Sequence, residues 1–337
     1  MKTLKIPGFA LFAILFLIQP AIASEKVLTI KIGTLAPEGS SWIKTLNAIN
    51  AETIKKTENR VQFRIYHSGV LGDEMDMLRK MRIGQIHGAA FTAGGLSPLF
   101  KEIEVFQVPF LFQTYEEADY ILTKMDGFFR KGFEDNGHTI LGWSEAGFVY
   151  LMSNSPVSSV ADLKKTKVWI WEESPMSKAI FDEAGISTIP LSVPDVLLGL
   201  QTGLVDVVYA PPTGAISLQW FTKIKYISDV PLSYLIGAVV IHRETFRRIP
   251  LPYQTVLLES FNRHLLQLKG VTRSENRDAI KVMMKHGIKV ITPSQGQIEE
   301  FKKLSERAME KVGTQSFSKK VLNEVKIHLD NYRMGRK

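Results

Sequence analysis

Two stretches of this chain repeat one arrangement of apolar and polar positions. In the first, Met75, Leu78 and Met81 recur at helical spacing, Gly84 follows, and Gln85 leads straight into the apolar run Ile86 to Phe91. In the second, Val196, Leu197 and Leu200 recur in the same way, Gly203 follows, and Leu204 leads into Val205 to Tyr209. A glycine just past a helix adopts the left-handed cap without a steric penalty, so each stretch reads as helix, cap, then strand. Continuous apolar runs mark strands covered on both faces, which predicts parallel strands sheathed by helices. Two such units far apart in sequence predict two similar α/β lobes. Small ligands sit in the cleft between such lobes, outside the carboxyl ends of the strands.

The remaining pattern fills in both lobes. Val27 to Ile32 alternates as a strand, and Ser40 or Ser41 caps a helix whose inner side is Trp42, Leu46 and Ile49, with Trp42 read as core. Val61 to Tyr66 is a second strand, and this β-α-β-α-β order predicts right-handed crossovers in a parallel sheet. Leu141 to Tyr150 reads as a strand passing into lobe two, where Lys167 to Trp171 is a strand and Ser174 with Pro175 opens a helix that ends before Gly185. Leu235 to Ile241 returns to lobe one. Tyr253 to His286 is helical, with Gly270 as its one break, and Ile288 to Ile291 and two amphipathic helices close the chain. The expected division is residues 24–147 with 235–275 in lobe one, and 148–234 with 276–337 in lobe two.

Composition narrows the setting. Lys2 and Lys5 precede the apolar stretch Ile6 to Ile22, and Ala21-Ile22-Ala23 has the small-x-small form of a cleavage site, so residues 1–23 are expected to be a signal peptide. No later stretch is long and apolar enough for a membrane span. The 337 residues contain no cysteine, which excludes disulfides, thiolate metal sites and a lipidated cysteine, and points to free diffusion in a periplasm. Net charge is +8, from 42 Lys and Arg against 34 Asp and Glu, dispersed apart from a modest group at Arg333, Arg336 and Lys337. Without a basic stripe interleaved with aromatics, nucleic acid is not an expected partner.

Catalytic chemistry finds no purchase. The seven histidines have no metal-ligand spacing, and no nucleophile elbow, P-loop or dinucleotide fingerprint follows a strand, so no cofactor is expected. Glu116-Glu117 and Glu172-Glu173 read as solvated carboxylates, and His87 as a strand position.

Around the second unit, Pro194-Asp195-Val196 and Leu200-Gln201-Thr202-Gly203-Leu204-Val205-Asp206 resemble the signature of the DctP-type extracytoplasmic solute-binding proteins of TRAP transporters. Leu71-Gly72-Asp73-Glu74, Val108-Pro109-Phe110-Leu111-Phe112, Gly147-Phe148, Asp162-Leu163-Lys164 and Lys167-Val168 follow in family order, so the likeness spans nearly the whole mature chain. The resemblance implies a type II-like periplasmic binding protein fold with a central cleft and a long helix crossing the hinge. It also implies capture of a small solute by cleft closure and delivery to TRAP membrane permease subunits.

The resemblance further implies an arginine that forks onto a ligand carboxylate, at the position Trp169 occupies here, a second arginine where Val149 stands, and an asparagine where Ala210 stands. All three departures run from polar to apolar. A carboxylate entering a dry pocket without a paired cation loses several kcal/mol of hydration, so the expected ligand is apolar or aromatic. The candidate contacts are Trp169, Tyr209, Trp143, Phe148, Val149, Trp171, Phe91, Val193 and Ala210. Arg64, Arg79 and Arg82 are the alternatives for a replacement clamp, at positions that read as solvated. The competing functions are a periplasmic sensor or lipid-handling protein, and a bilobed enzyme using the same cleft.

Overall fold

The computed structural model describes residues 27–171, 175–312 and 316–335. The expected signal peptide, Glu172, Glu173, Ser174, Arg336 and Lys337 lie outside the described residues.

Lobe one opens with β1 (Leu28–Thr34), α1 (Ser41–Lys56), β2 (Val61–Tyr66), α2 (Glu74–Arg82), β3 (Gly88–Thr92) and the short α3 (Ala93–Leu96), followed by a 3-10 segment at Lys101–Gln107 and α4 (Tyr115–Asp135). The chain then enters β4 (His138–Ser153). Lobe two contains α5 (Val160–Leu163), β5 (Val168–Trp171), α6 (Pro175–Glu183), β6 (Thr188–Leu191), α7 (Val196–Gln201), β7 (Val207–Ala210), α8 (Pro212–Ser217) and β8 (Tyr226–Ser228). The return strand β9 (Ser233–His242) leads to α9 (Arg243–Arg247), α10 (Leu251–Lys285), β10 (Lys289–Ile291), α11 (Gln295–Val312) and α12 (Lys319–Met334).

Strands run in the order β2-β1-β3-β9-β4-β7-β5-β6. Each lobe holds a parallel trio, β2-β1-β3 in one and β7-β5-β6 in the other, as the apolar runs predict. Between the trios lie β9 and β4, which run antiparallel to their neighbours, so the sheet is mixed where the sequence pattern predicted a parallel one. The reason is local: β4 is long enough to pair with β9 through Val149 and then with β7 from Tyr150 onward, so a single strand serves both lobes.

The two repeated units are alike in detail. Gly84 and Gly203 have φ of +71° and +68°, and the residue after each donates to a carbonyl of its helix, Gln85 N–H to Lys80 O and Leu204 N–H to Gly199 O, at 2.9 and 2.8 Å. Only glycine takes that conformation without strain, and the bonds satisfy carbonyls that the helix end leaves open. Each strand then docks the same way, His87 N–H on Lys31 O and Asp206 N–H on Lys167 O.

Helix α10 runs through Gly270 unbroken for 35 residues, a length of about 50 Å. Leu257, Phe261, Leu265 and Leu268 pack into lobe one, and Met283 packs into lobe two. Residues 276–337 do not all follow lobe two: Val321, Val325 and Leu329 of α12 join the lobe-one core beside Ala118 and Ile121 of α4. Glu117 is not the solvated carboxylate the sequence suggests. It is buried, and Arg333 from α12 bonds both its oxygens at 2.8 and 3.0 Å, which holds its pKa below the ordinary value against the effect of burial.

Candidate functional site

Between the lobes lies a chamber of about 340 Å³. Its lobe-two wall follows from strand alternation: Trp169 and Trp171 sit two apart on β5 and share a face, and Tyr209 comes from the carboxyl end of β7. Trp169 is held firmly. Its Nε1–H donates to Leu191 O at 3.0 Å, and its ring lies 5.1 Å from Tyr209 and 5.3 Å, edge to face, from Trp220. Burial pushes the Tyr209 phenol above its ordinary pKa, so it stays neutral.

Lobe one and the hinge helix supply the acidic groups. Glu74, Glu104 and Glu275 border the chamber, and among the described residues no Lys, Arg or His does. Glu74 accepts from Thr92 N–H (2.8 Å), Thr92 Oγ1 (3.1 Å) and Gly95 N–H (2.6 Å). Burial nevertheless drives its pKa up to about 8, with the charge of Asp73 adding to the rise while those donors oppose it. Ser41 Oγ donates to Glu275.

The guanidinium of Arg273, two residues before Glu275 on α10, is already committed. Arg273 forks onto Glu145 at 2.7 and 2.8 Å and onto Asp119 at 2.9 and 2.7 Å, with Lys269 also on Asp119 at 2.8 Å and the Tyr115 ring 4.4 Å away. Arg64, Arg79 and Arg82 are exposed and none borders the chamber, so none supplies a clamp.

A pair of hydrogen bonds joins the walls directly. Asp73, the N-cap of α2, accepts Trp171 Nε1–H at 2.9 Å and Val193 N–H at 3.1 Å through Oδ2, while Oδ1 caps its own helix at Glu74 N–H. Gly94 provides the seat for Trp171, since a Cβ there would collide with the indole ring.

Of the residues picked from sequence, the structure brings Trp169, Tyr209, Val149, Trp171, Phe91, Val193 and Ala210 to the chamber. Trp143 and Phe148 are not there. Trp143 packs on Phe129 and Phe133 with Nε1–H on Asp126 at 2.6 Å, and Phe148 packs on Tyr115 and Tyr234, because both side chains leave β4 on the side facing α4. Trp42 goes the other way: read as core, it is half-buried and borders the chamber. Sequence reasoning missed Glu104, Thr272 and Glu275. Glu104 had a signal, since it interrupts the apolar run Ile103 to Phe106, while positions 272 and 275 had none.

Comparison with known proteins agrees with this architecture. A solute-binding protein of Chromohalobacter salexigens is 30% identical over 206 residues, covering 56% of this chain and 60% of that relative. The 2,3-diketo-L-gulonate-binding periplasmic protein YiaO of Escherichia coli is 26% identical over 243 residues, 71% of this chain and 73% of YiaO. The sugar acid binding protein DctPAm of Advenella mimigardefordensis, solved in complex with galactonate, superposes with a TM-score of 0.84 at 18% identity over 91% of this chain and 99% of that one, and shares its two-lobed fold. No helix among the described residues is long and apolar enough to cross a membrane. The sequence profile of the bacterial extracellular solute-binding proteins, family 7 (DctP), matches residues 32–316, and the chain belongs to that family.

Proposed function

We propose that this protein is the periplasmic solute-binding component of a TRAP-type transporter, that it binds without transforming its ligand, and that the ligand is a solute with an apolar or aromatic body and no carboxylate. Closure of the lobes on that solute presents the loaded form to the membrane permease subunits, because a ligand touching both walls favours the closed state. Trp169, Tyr209, Trp171, Val149, Phe91, Val193 and Ala210 are its contacts, and stacking and area burial supply the affinity.

The observation that carries this reading is the absence of positive charge: three acidic side chains border the chamber, Glu74 among them held protonated by burial, and no cation among the described residues does. The sugar acids bound by YiaO and DctPAm would each enter as an anion beside carboxylates, with the hydration of the charge unreplaced. The test is mass spectrometry of what copurifies from the native host after denaturation, paired with calorimetric titration of galactonate. A neutral or amine-bearing apolar compound, and no heat with galactonate, is expected. An organic acid recovered from the protein, or galactonate bound at about micromolar Kd, equivalent to roughly 8 kcal/mol, would overturn the reading.

A further inference from the structure

The 3-10 segment Lys101–Gln107 buries four consecutive residues, Ile103, Glu104, Val105 and Phe106, and three of them do what apolar residues do in a core. Glu104 does not fit that account. It is 6% exposed, Ser97 Oγ donates to its Oε1, and its Oε2 has no hydrogen-bond partner. Buried polar atoms in native proteins are almost always paired, and a carboxylate can only accept unless it carries a proton. Glu104 borders the chamber, and its open oxygen lies buried in that wall. A second atom is in the same state: Thr272 Oγ1 on α10 is buried without a partner, in a residue that is 3% exposed and borders the chamber.

We propose that Glu104 determines specificity by accepting a hydrogen bond from a hydroxyl or ammonium group at the polar end of an otherwise apolar solute, with the Thr272 hydroxyl as a second polar contact. This rests on the non-anionic reading of the chamber given above and adds the chemistry of the ligand's head. Donation to a buried carboxylate replaces the missing partner of Oε2, whereas a carboxylate head brings a second acceptor to an acceptor. The lobe-two wall then holds the body of the same molecule.

Four probes with one aromatic body test this: phenethyl alcohol, phenethylamine, ethylbenzene and phenylacetate, titrated against the full chain by tryptophan fluorescence. The alcohol and the amine are expected to bind roughly tenfold or more tighter than ethylbenzene, the increment of one hydrogen bond to a charged group, with phenylacetate weakest. Glu104→Leu should erase the advantage of both donor probes and leave ethylbenzene as it was. Glu104→Gln, the same shape with an acceptor oxygen and no charge, should weaken the amine more than the alcohol, which separates an ammonium from a hydroxyl. Should the Leu variant fail to fold, the wild-type ranking and the Gln variant decide.

If the donor probes and ethylbenzene bind alike in all proteins while phenylacetate is excluded, Glu104 has no such role and the apolar chamber stands. If phenylacetate binds tightest, this inference and the reading beneath it both fall.

Discussion

The two walls of the chamber differ in kind. Among the described residues, lobe one and the hinge helix contribute Glu74, Glu104 and Glu275, all of its acidic side chains, whereas lobe two contributes none and is faced with Trp169, Trp171, Tyr209 and Phe181. Both walls rise from the same helix, glycine and strand grammar, so the backbone plan does not set their chemistry. Side chains at the strand ends and in the connecting segments do. A fold that repeats itself has been lined with acidic side chains on one side only, while aromatic surface lies on both, with Trp42 and Phe91 on lobe one, which suits a ligand whose body is apolar and whose polar end is single.

The largest effect is expected from making the aromatic wall cationic. Trp169 is wedged between Tyr209 and Trp220 and is 4% exposed. Its loss should lower stability by about 3–5 kcal/mol, as for other buried tryptophans, read from the denaturant midpoint. In Trp169→Arg, binding of ethylbenzene should vanish and galactonate binding should appear. Trp169→Leu, which adds no charge, should weaken ethylbenzene without admitting galactonate. An unaltered ligand ranking in a folded Arg variant would mean the wall does not select by charge.

The acid wall is tested through pH. The folded-state pKa of Glu74 is raised, so the native protein keeps a proton that the unfolded chain has already lost, and stability falls as pH rises from the unfolded value near 4.5 toward about 8. From pH 6 to pH 8 the wild type should lose about 2 kcal/mol relative to Glu74→Gln, which has no proton to release. Parallel urea midpoints for the two proteins across that range would show that the carboxyl is not held protonated.

Much of this comparison was legible in the sequence, though unevenly. The Gly84 and Gly203 caps and the strands after them are local features, set by φ preferences and apolar runs that short windows contain, and they predicted two lobes correctly. Tyr209 was picked by its position at the carboxyl end of β7 and Trp169 by the family motif, and both border the chamber, as does Trp171. On β4 the same logic failed for Trp143 and Phe148. Register irregularities between Ile140 and Gly142 and between Glu145 and Gly147 reset which face each residue takes, and no pattern of residue types announces them. Glu275 and Thr272 were hidden for another reason. A helix 35 residues long meets the chamber at only part of its length, and that part is fixed by the lobes it crosses, far away in sequence.

The smallest of these effects, and the one that links the walls, concerns Asp73. Its Oδ2 receives both Trp171 Nε1–H and Val193 N–H from the opposite lobe, so the charged acceptor belongs to the acid side and both donors to the aromatic side. Asp73→Asn keeps an oxygen to cap α2, since asparagine is as good an N-cap, but turns an amide N–H₂ toward two donors. The closed form should lose population and the apparent affinity for phenethyl alcohol should fall roughly tenfold, with little change in the unfolding midpoint. X-ray scattering of the free protein should show a larger radius of gyration than the wild type. Trp171→Phe helps to discriminate between two roles for that ring, because it removes the N–H while keeping a smaller aromatic ring. If the clasp is what Trp171 provides, this variant and Asp73→Asn should weaken binding by a similar factor, and the double variant by no more than either, as expected for partners in one interaction. If the ring serves the ligand alone, the losses in Trp171→Phe and Asp73→Asn will add in the double variant, and the lobes must be held together by the solute instead of by each other.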